Sequence, residues 1–240
     1  MSGRAGTATL GAVLPPHLAD VRFRDASPDD DARLAELCSR HADGRAIVVL
    51  GAGRPALLAA LADRGAQVIA VDSSRTALAR ARSALGAASS VTLLAEDPRE
   101  MEVPAEVASV LIPSTPWRAV ASALDRRLVL RGARRALRPG GRLLLELEDV
   151  PDAAAGELAR PRGVRWRRAP VGAGTPAVTI DDASALELHA FTPQAAVDEA
   201  CDEGFELEAR LEVGSGLPAA RDAVRVLASL RVPRDHEDTR

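Results

Sequence analysis

The passage Ala46-Ile47-Val48-Val49-Leu50-Gly51-Ala52-Gly53-Arg54-Pro55-Ala56 decides the fold, together with Gln67-Val68-Ile69-Ala70-Val71-Asp72-Ser73-Ser74 that follows it. Each opens with a short, largely apolar run, the kind that lies inside a parallel sheet covered on both faces. Gly51 and Gly53 turn the first run into a helix predicted over Pro55–Arg64, with Pro55 suited to its first turn and Gly65 to its end. The second run leads into a helix over Ser74–Leu85, whose Leu78, Ala81 and Leu85 share one stripe and which stops at Gly86. Strand, turn, helix, strand is a βαβ unit, and its repetition predicts a doubly wound α/β sheet.

Further along, Val91–Ala95, Val107–Ile112 and Arg142–Leu147 read as the third, fourth and fifth strands. Thr115 and Pro116 are expected to cap and open one long helix reaching about Arg138, and the turn Pro139-Gly140-Gly141 to feed the fifth strand. The arginines at 126, 127, 131, 134, 135 and 138 are expected on a solvated face of that helix, away from Val120, Leu124 and Leu128. Ahead of the sheet, Ser27, Pro28, Asp29, Asp30 and Asp31 form a helix entrance whose acids complement the dipole, with Leu34, Leu37 and Cys38 on the buried face. Val164–Arg168, Ala177–Ile180 and Ala185–Ala190 read as short antiparallel strands in an insertion over about 151–190. Thr192 and Pro193 open a last helix ending at Gly204, and Phe205–Val213 with Val224–Val232 alternate as a closing antiparallel pair. The expected architecture is a Rossmann-like, doubly wound sheet of seven strands, mostly parallel with a C-terminal antiparallel hairpin, plus the small antiparallel insertion. A flexible segment over 1–26, a single domain over 27–232 and a tail over 233–240 complete the expected division.

Composition narrows the function. The 240 residues are 47% hydrophobic and 27% charged, enough for one full core. Arg supplies all 31 basic residues and Tyr is absent, a bias typical of GC-rich bacterial coding. A net charge of -3 and a pI near 5.9 give no overall attraction for phosphate backbones. With aromatics at 2%, base stacking has few partners either, so a nucleic acid ligand is not expected. Cys38 and Cys201 cannot build a disulfide framework, and no apolar run approaches the roughly 18 residues of a membrane span. A cytoplasmic location without a membrane partner is expected.

Glycine at 51 and 53 lets a ligand approach bare amides at a helix N-terminus. Asp72 closes the second strand 19 positions after Gly53, where a carboxylate accepts hydrogen bonds from two ribose hydroxyls at the switch point of the sheet. Asp97 follows the third strand. Together these residues describe a pocket for an adenosine-containing ligand. Gly51, Gly53 and Ala56 with Asp72 also fit a dinucleotide fingerprint, against which the Pro139–Gly141 turn and the closing hairpin speak.

Leu50-Gly51-Ala52-Gly53, Val71-Asp72-Ser73-Ser74, Ala95-Glu96-Asp97 and Leu137-Arg138-Pro139-Gly140-Gly141 stand in the order of the motifs of class I S-adenosylmethionine-dependent methyltransferases of the small bacterial type. Phe191-Thr192-Pro193 and Glu203-Gly204-Phe205 resemble that family's last helix and hairpin, so the resemblance spans about Asp20 to Val232. It implies S-adenosylmethionine as cofactor, with Gly51, Ala52 and Gly53 along its methionine part, Asp72 and Ser73 at its ribose and Asp97 at its adenine amino group. It further implies methyl transfer to a small molecule, an amine or hydroxyl, in bacterial natural-product metabolism. Two positions depart from the family pattern. The acid two places before the first glycine is here Val49, and the third glycine is Pro55, whose ring adds bulk and removes an amide where the cofactor should lie. These departures hold open a second reading, a methyltransferase fold that has lost methyl transfer and serves as a repurposed hydrolase or cyclase, or as a non-catalytic subunit of a heteromeric enzyme. A third is a ligand-binding or scaffolding module whose insertion strands form an interface. A related subunit or a second copy of the chain is therefore an expected partner beside the small molecule.

The remaining candidates are individual side chains. Arg54 reads either as a solvated loop cation or as a contact to a carboxylate, the cofactor's own included. The loop Pro113-Ser114-Thr115-Pro116-Trp117 should overhang the reacting centre, with Ser114 as a polar contact and Trp117 as a helix anchor or apolar wall. His189 on an insertion strand is a third substrate-side candidate. No catalytic residue is singled out, because displacement at a sulfonium methyl by an amine can rest on positioning alone. Cys38 and His41 have no second pair to complete a tetrahedral set, so no metal is expected. Arg160, Arg162, Arg165, Arg167 and Arg168 in the insertion could meet an acidic substrate, a phosphate or a partner protein.

Overall fold

The chain order is α1 (Pro28–Ser39), β1 (Ala46–Leu50), α2 (Pro55–Ala62), β2 (Gln67–Val71), α3 (Arg75–Leu85), β3 (Val91–Leu94), β4 (Val107–Ile112), α4 (Ser114–Ala119) and α5 (Ala123–Ala136). β5 (Leu137–Glu148), β6 (Trp166–Val171), β7 (Thr175–Ile180), β8 (Leu186–His189), α6 (Pro193–Asp202), β9 (Glu206–Glu212) and β10 (Arg225–Arg231) complete it. This is a computed structural model, and it describes residues 28–40, 42, 44–86, 90–103, 106–120, 122–148, 166–171, 175–180, 186–189, 192–220, 223 and 225–234. The segments expected to be flexible at the start (1–26), the linker between β5 and β6, and the C-terminal residues 235–240 lie outside the described residues, as do His17, His41 and His236.

Seven strands form one sheet in the order β3-β2-β1-β4-β5-β10-β9, and β6-β7-β8 form a separate antiparallel sheet. The strands from β3 through β5 pair in parallel, while β10 runs antiparallel to both its neighbours. The sheet is the expected one, because alternate residues of each inner strand have apolar layers to enter on both sides. Val48 and Leu50 pack with Trp117, Val129, Leu130 and Ala196. Ile47 and Val49 point the other way, into a cluster with Leu34, Cys38, Leu57, Leu61 and Leu78 from α1, α2 and α3. The strand order reverses between β1 and β4, which puts the crevice of a doubly wound sheet above the ends of those two strands.

Three expectations are corrected. The long helix predicted from Thr115 to Arg138 is two helices, broken where Val120 takes φ -86° and ψ 95°. Ser122 then caps α5 by accepting from the Asp125 amide, and Thr115 lies inside α4, whose N-cap position is Pro113. The Arg126 guanidinium stabilises the break, donating to the Val120 carbonyl at 3.1 Å and forking onto Glu199 of α6 at 2.7 and 2.6 Å. Arg126 is therefore buried rather than solvated, Leu124 is 65% exposed, and the inward stripe of α5 is Val129, Leu130, Ala133 and Ala136. Finally, Pro139-Gly140-Gly141 lies within β5 rather than ahead of it, as a bulge. The register passes from Val107 opposite Leu137 to Ser109 opposite Arg142, and Gly140 supplies the positive φ of 72° that the bulge requires. Among the described residues, no helix is long and apolar enough to cross a membrane.

The corrected orientation of α5 separates two leucines six positions apart on the same helix. Leu130→Ala should destabilise the protein by about 2–5 kcal/mol in urea denaturation, whereas Leu124→Ala should stay within about 0.5 kcal/mol.

Candidate functional site

The carboxyl ends of β1 and β2 are joined through one side chain. Asp72 is buried, and its Oδ2 accepts from the Ala52 amide at 2.8 Å while its Oδ1 accepts from the Ser74 amide at 2.8 Å. Burial pushes this carboxyl above its ordinary range, opposed by those two amides. Gly51 donates to the Val71 carbonyl and holds φ 98°, a value that a side chain would strain. Gly53 completes the turn, and Ser73 is half-buried between Asp72 and Ser74, whose hydroxyl caps α3. At the end of β3, both Asp97 oxygens accept from the Arg99 guanidinium, which also reaches Asp125 at 3.0 Å. Burial raises the Asp97 carboxyl, but the Arg99 hydrogen bonds outweigh it and hold the group below the usual carboxylate range.

A cluster of buried charge lies beyond the turn on the β5 side. Arg54, the N-cap residue of α2, is only 8% exposed, and its Nη1 and Nη2 donate to Glu146 and Asp31 respectively. Glu146 is 1% exposed; its Oε1 accepts from Arg225 Nη2 and Nε, and its Oε2 also accepts from the Ser114 amide at 3.3 Å. Arg225 pairs in addition with Asp30 at 2.7 Å and with Glu148 at 3.6 Å. Arg54 is thus no solvated cation, and it does meet carboxylates, those of its own chain. Burial opposes the charge on Arg54 and Arg225, but the facing acids outweigh it and raise both. Burial, followed by the Glu146 charge, pushes the neighbouring Cys38 thiol far up and leaves it unreactive.

The substrate-side candidates divide. Ser114 and Trp117 are both buried, the serine fixed through its amide to Glu146 and the tryptophan serving as a core anchor of α4. His189 ends β8, in register opposite Ala177, and β8 runs beside α4. Arg167 and Arg168 lie on β6; Arg160, Arg162 and Arg165 lie outside the described residues. Asp31, Glu146 and Arg225 were missed by sequence reasoning. The triple acid at 29–31 reads as helix-dipole chemistry, and the only available signal was two glutamates, Glu146 and Glu148, at the end of a strand otherwise rich in leucine.

Comparison with known proteins points to the same fold. The family described as "Methyltransferase domain" matches residues 47–141, the part that carries the glycine turn, Asp72 and Asp97. Residues 47–141 thus match a methyltransferase domain, and the sheet around them has the class I methyltransferase fold. The CcbJ methyltransferase of Streptomyces caelestis superposes with a TM-score of 0.71 at 17% identity, over 94% of this chain and 98% of that one. The glycopeptide N-methyltransferase MtfA, solved with S-adenosylmethionine, gives 0.62 at 27% identity over 87% and 96% of the two chains. CalS10 of Micromonospora echinaspora, an amino pentose methyltransferase with S-adenosylmethionine bound, gives 0.65 at 23% over 91% and 97%. No curated protein matches the sequence.

Does this crevice suit S-adenosylmethionine? A carboxylate offers about four lone-pair sites, so the amides on Asp72 leave one acceptor site on each oxygen for two ribose hydroxyls. Beside the turn, Asp30, Asp31, Glu146 and Glu148 gather around the Arg54 and Arg225 guanidiniums, a charged lining of a chemistry that meets the amino and carboxyl groups of such a ligand. The donor set therefore fits. The turn itself is closely packed, since a Cβ at Gly51 would lie 2.7 Å from Pro116 Cγ, and Val49 is packed in the apolar cluster.

Arg54→Met should cost about 3 kcal/mol in urea denaturation, because Glu146 then keeps a buried charge with one partner fewer; adding Glu146→Gln should recover part of that loss. Asp97→Asn should lower stability by about 1 kcal/mol at neutral pH. Since the folded carboxyl is held low, this difference should be present above about pH 4 and vanish as the pH falls through the folded value, as followed by denaturation at stepped pH.

Proposed function

We propose that this protein binds S-adenosylmethionine above β1, β2 and β3 and transfers its methyl group to a small-molecule amine or hydroxyl. The observation that carries this is the Asp72 carboxylate, anchored between the amides of Ala52 and Ser74 where the glycine turn meets the end of β2. Gly51, Ala52 and Gly53 would flank the methionine part, Asp72 and Ser73 the ribose, and Asp97 the adenine. The cofactor supplies a methyl group on a positively charged sulfur. The chain contributes position: the Ser114 amide held by Glu146 fixes the loop after β4, and α4 and β8, which carries His189, border the acceptor side. The carboxylates gathered at the crevice favour an amine acceptor, which approaches as a cation and gives up its proton to solvent before the neutral nitrogen attacks the methyl group. MtfA and CalS10, named for a glycopeptide nitrogen and an amino pentose, support an aminated natural product as the substrate class. A bacterial cytoplasmic enzyme, paired with a second copy or a related subunit, is the setting this reading implies.

The second reading, a fold retired from methyl transfer into hydrolase, cyclase or subunit duty, is favoured by the placement of Pro116 against Gly51 and by the inward turn of Arg54. Calorimetric titration separates the two. S-adenosylmethionine and S-adenosylhomocysteine should bind the wild-type protein, and Asp72→Ala should weaken both about tenfold or more through loss of charge-assisted hydrogen bonds. Absence of binding heat and of thermal stabilisation by either ligand would favour the retired fold.

A further inference from the structure

Arg54 holds its partners in an incomplete way. A carboxylate meeting a guanidinium in its strongest geometry takes two parallel N–H groups at once. Arg126 does this with Glu199, through Nε at 2.7 Å and Nη2 at 2.6 Å. In Arg54 the corresponding edge is half filled. Asp31 takes Nη2 through one oxygen, and Nε is buried with no partner. An orphaned N–H on a charged group that is over nine-tenths buried carries a desolvation cost that a two-pronged carboxylate would remove.

The two acids on Arg54 sit on different kinds of element. Glu146 lies in the middle of paired β5 and β10, opposite Leu227, and is fixed by Arg225 and the Ser114 amide as well. Asp31 belongs to the first turn of α1, is 15% exposed, and rides on a helix held at the crevice by Asp30 with Arg225 and by Arg33, which donates to the Ser215 carbonyl at 2.6 Å. Arg54 itself directly follows Gly53 at the head of α2, where the amino-acid part of a nucleoside ligand would end.

We propose that Asp31 is an internal stand-in for a ligand carboxylate on Arg54, so that docking of the start of α1 and binding of a carboxylate-bearing nucleoside compete for one guanidinium edge. The inference rests on the crevice being a nucleoside site, and adds that Arg54 selects ligands with an intact amino-acid end. Glu146 keeps Nη1 throughout, and the entering carboxylate takes Nε and Nη2 while Asp31 turns to solvent. No proton need move, since one carboxylate replaces another.

Two probes test this: S-adenosylhomocysteine, and its amine analogue 5′-S-(3-aminopropyl)-5′-thioadenosine, which lacks only the carboxylate. By calorimetry, Asp31→Ala should tighten S-adenosylhomocysteine about tenfold and leave the amine analogue no tighter. The near-isosteric Asp31→Asn should move in the same direction, which guards against misfolding of the alanine variant. In wild-type protein, S-adenosylhomocysteine should raise hydrogen exchange at the start of α1, and the amine analogue should not. Arg33→Ala, which loosens α1 without touching Arg54, should raise exchange without discriminating between the probes. Equal affinities of wild type and Asp31→Ala for both probes, or equal tightening of both, overturns the competition while leaving the nucleoside site standing. Binding of S-adenosylhomocysteine by Asp31→Ala but not by wild type supports the competition in its strongest form. Failure of every variant to bind either probe overturns the nucleoside site, and the competition with it.

Discussion

A carboxylate with 1% exposure cannot remain charged in a protein interior unless cations and donors are brought to it, and Glu146 is that group here. Its partners come from far along the chain: Arg54 from the turn after β1, Arg225 from the start of β10, and the Ser114 amide from the loop after β4. Each is costly without the others. The unpaired cost of any one member is several kcal/mol, so these segments settle into place together or not at all. Such a cluster adds little to net stability compared with an apolar equivalent. Its effect is on geometry, fixing four separate segments of the carboxyl edge to one another.

The glycine turn is consequently held from two sides. Asp72 grips it at Ala52 from β2, and Glu146 grips it at Arg54 from β5. A turn with Gly51 at φ 98° would otherwise be among the most mobile parts of the sheet edge. Pro55 continues the same logic, fixing φ at the first turn of α2, where the missing amide would have had no helical partner. Pro116 is laid against Gly51 and stiffens the cradle further. A stiff cradle loses little freedom when a ligand arrives, but it admits only ligands that match its shape.

Most of the fold was legible because its determinants are local and periodic. The alternation of Val48 and Leu50 against Ile47 and Val49 needs no distant information to be recognised as a strand covered on both faces. Gly51, Asp72 and their spacing likewise announced a crevice at the switch point. What could not be read were the features set by pairing over long distances. Arg126 looks like one more member of an exposed arginine stripe until Glu199 is placed opposite it, 73 residues on, and Leu124 is then turned outward. Arg54 and Glu146, 92 residues apart, are likewise ordinary letters separately. The dipole account of Asp29, Asp30 and Asp31 was incomplete for the same reason, since Arg54 and Arg225 are the cations that use two of them.

The valine at position 49 is best understood together with Arg54. Val49 faces the cluster of Leu34, Cys38 and Leu57, the same side of the sheet as Leu227, and Leu227 is the register partner of Glu146. The Cys38 thiol in that cluster already feels both Glu146 and Arg54. An acid at position 49 would add another carboxylate to a region where Asp30, Asp31, Glu146 and Glu148 already surround Arg54 and Arg225. Its desolvation in that apolar cluster would be costly. A valine at 49 is the residue compatible with an arginine at 54 whose counter-charges arrive from β5 and α1. The carboxylate usual beneath the turn has in effect moved two strands across the sheet, and Arg54 reaches over to meet it.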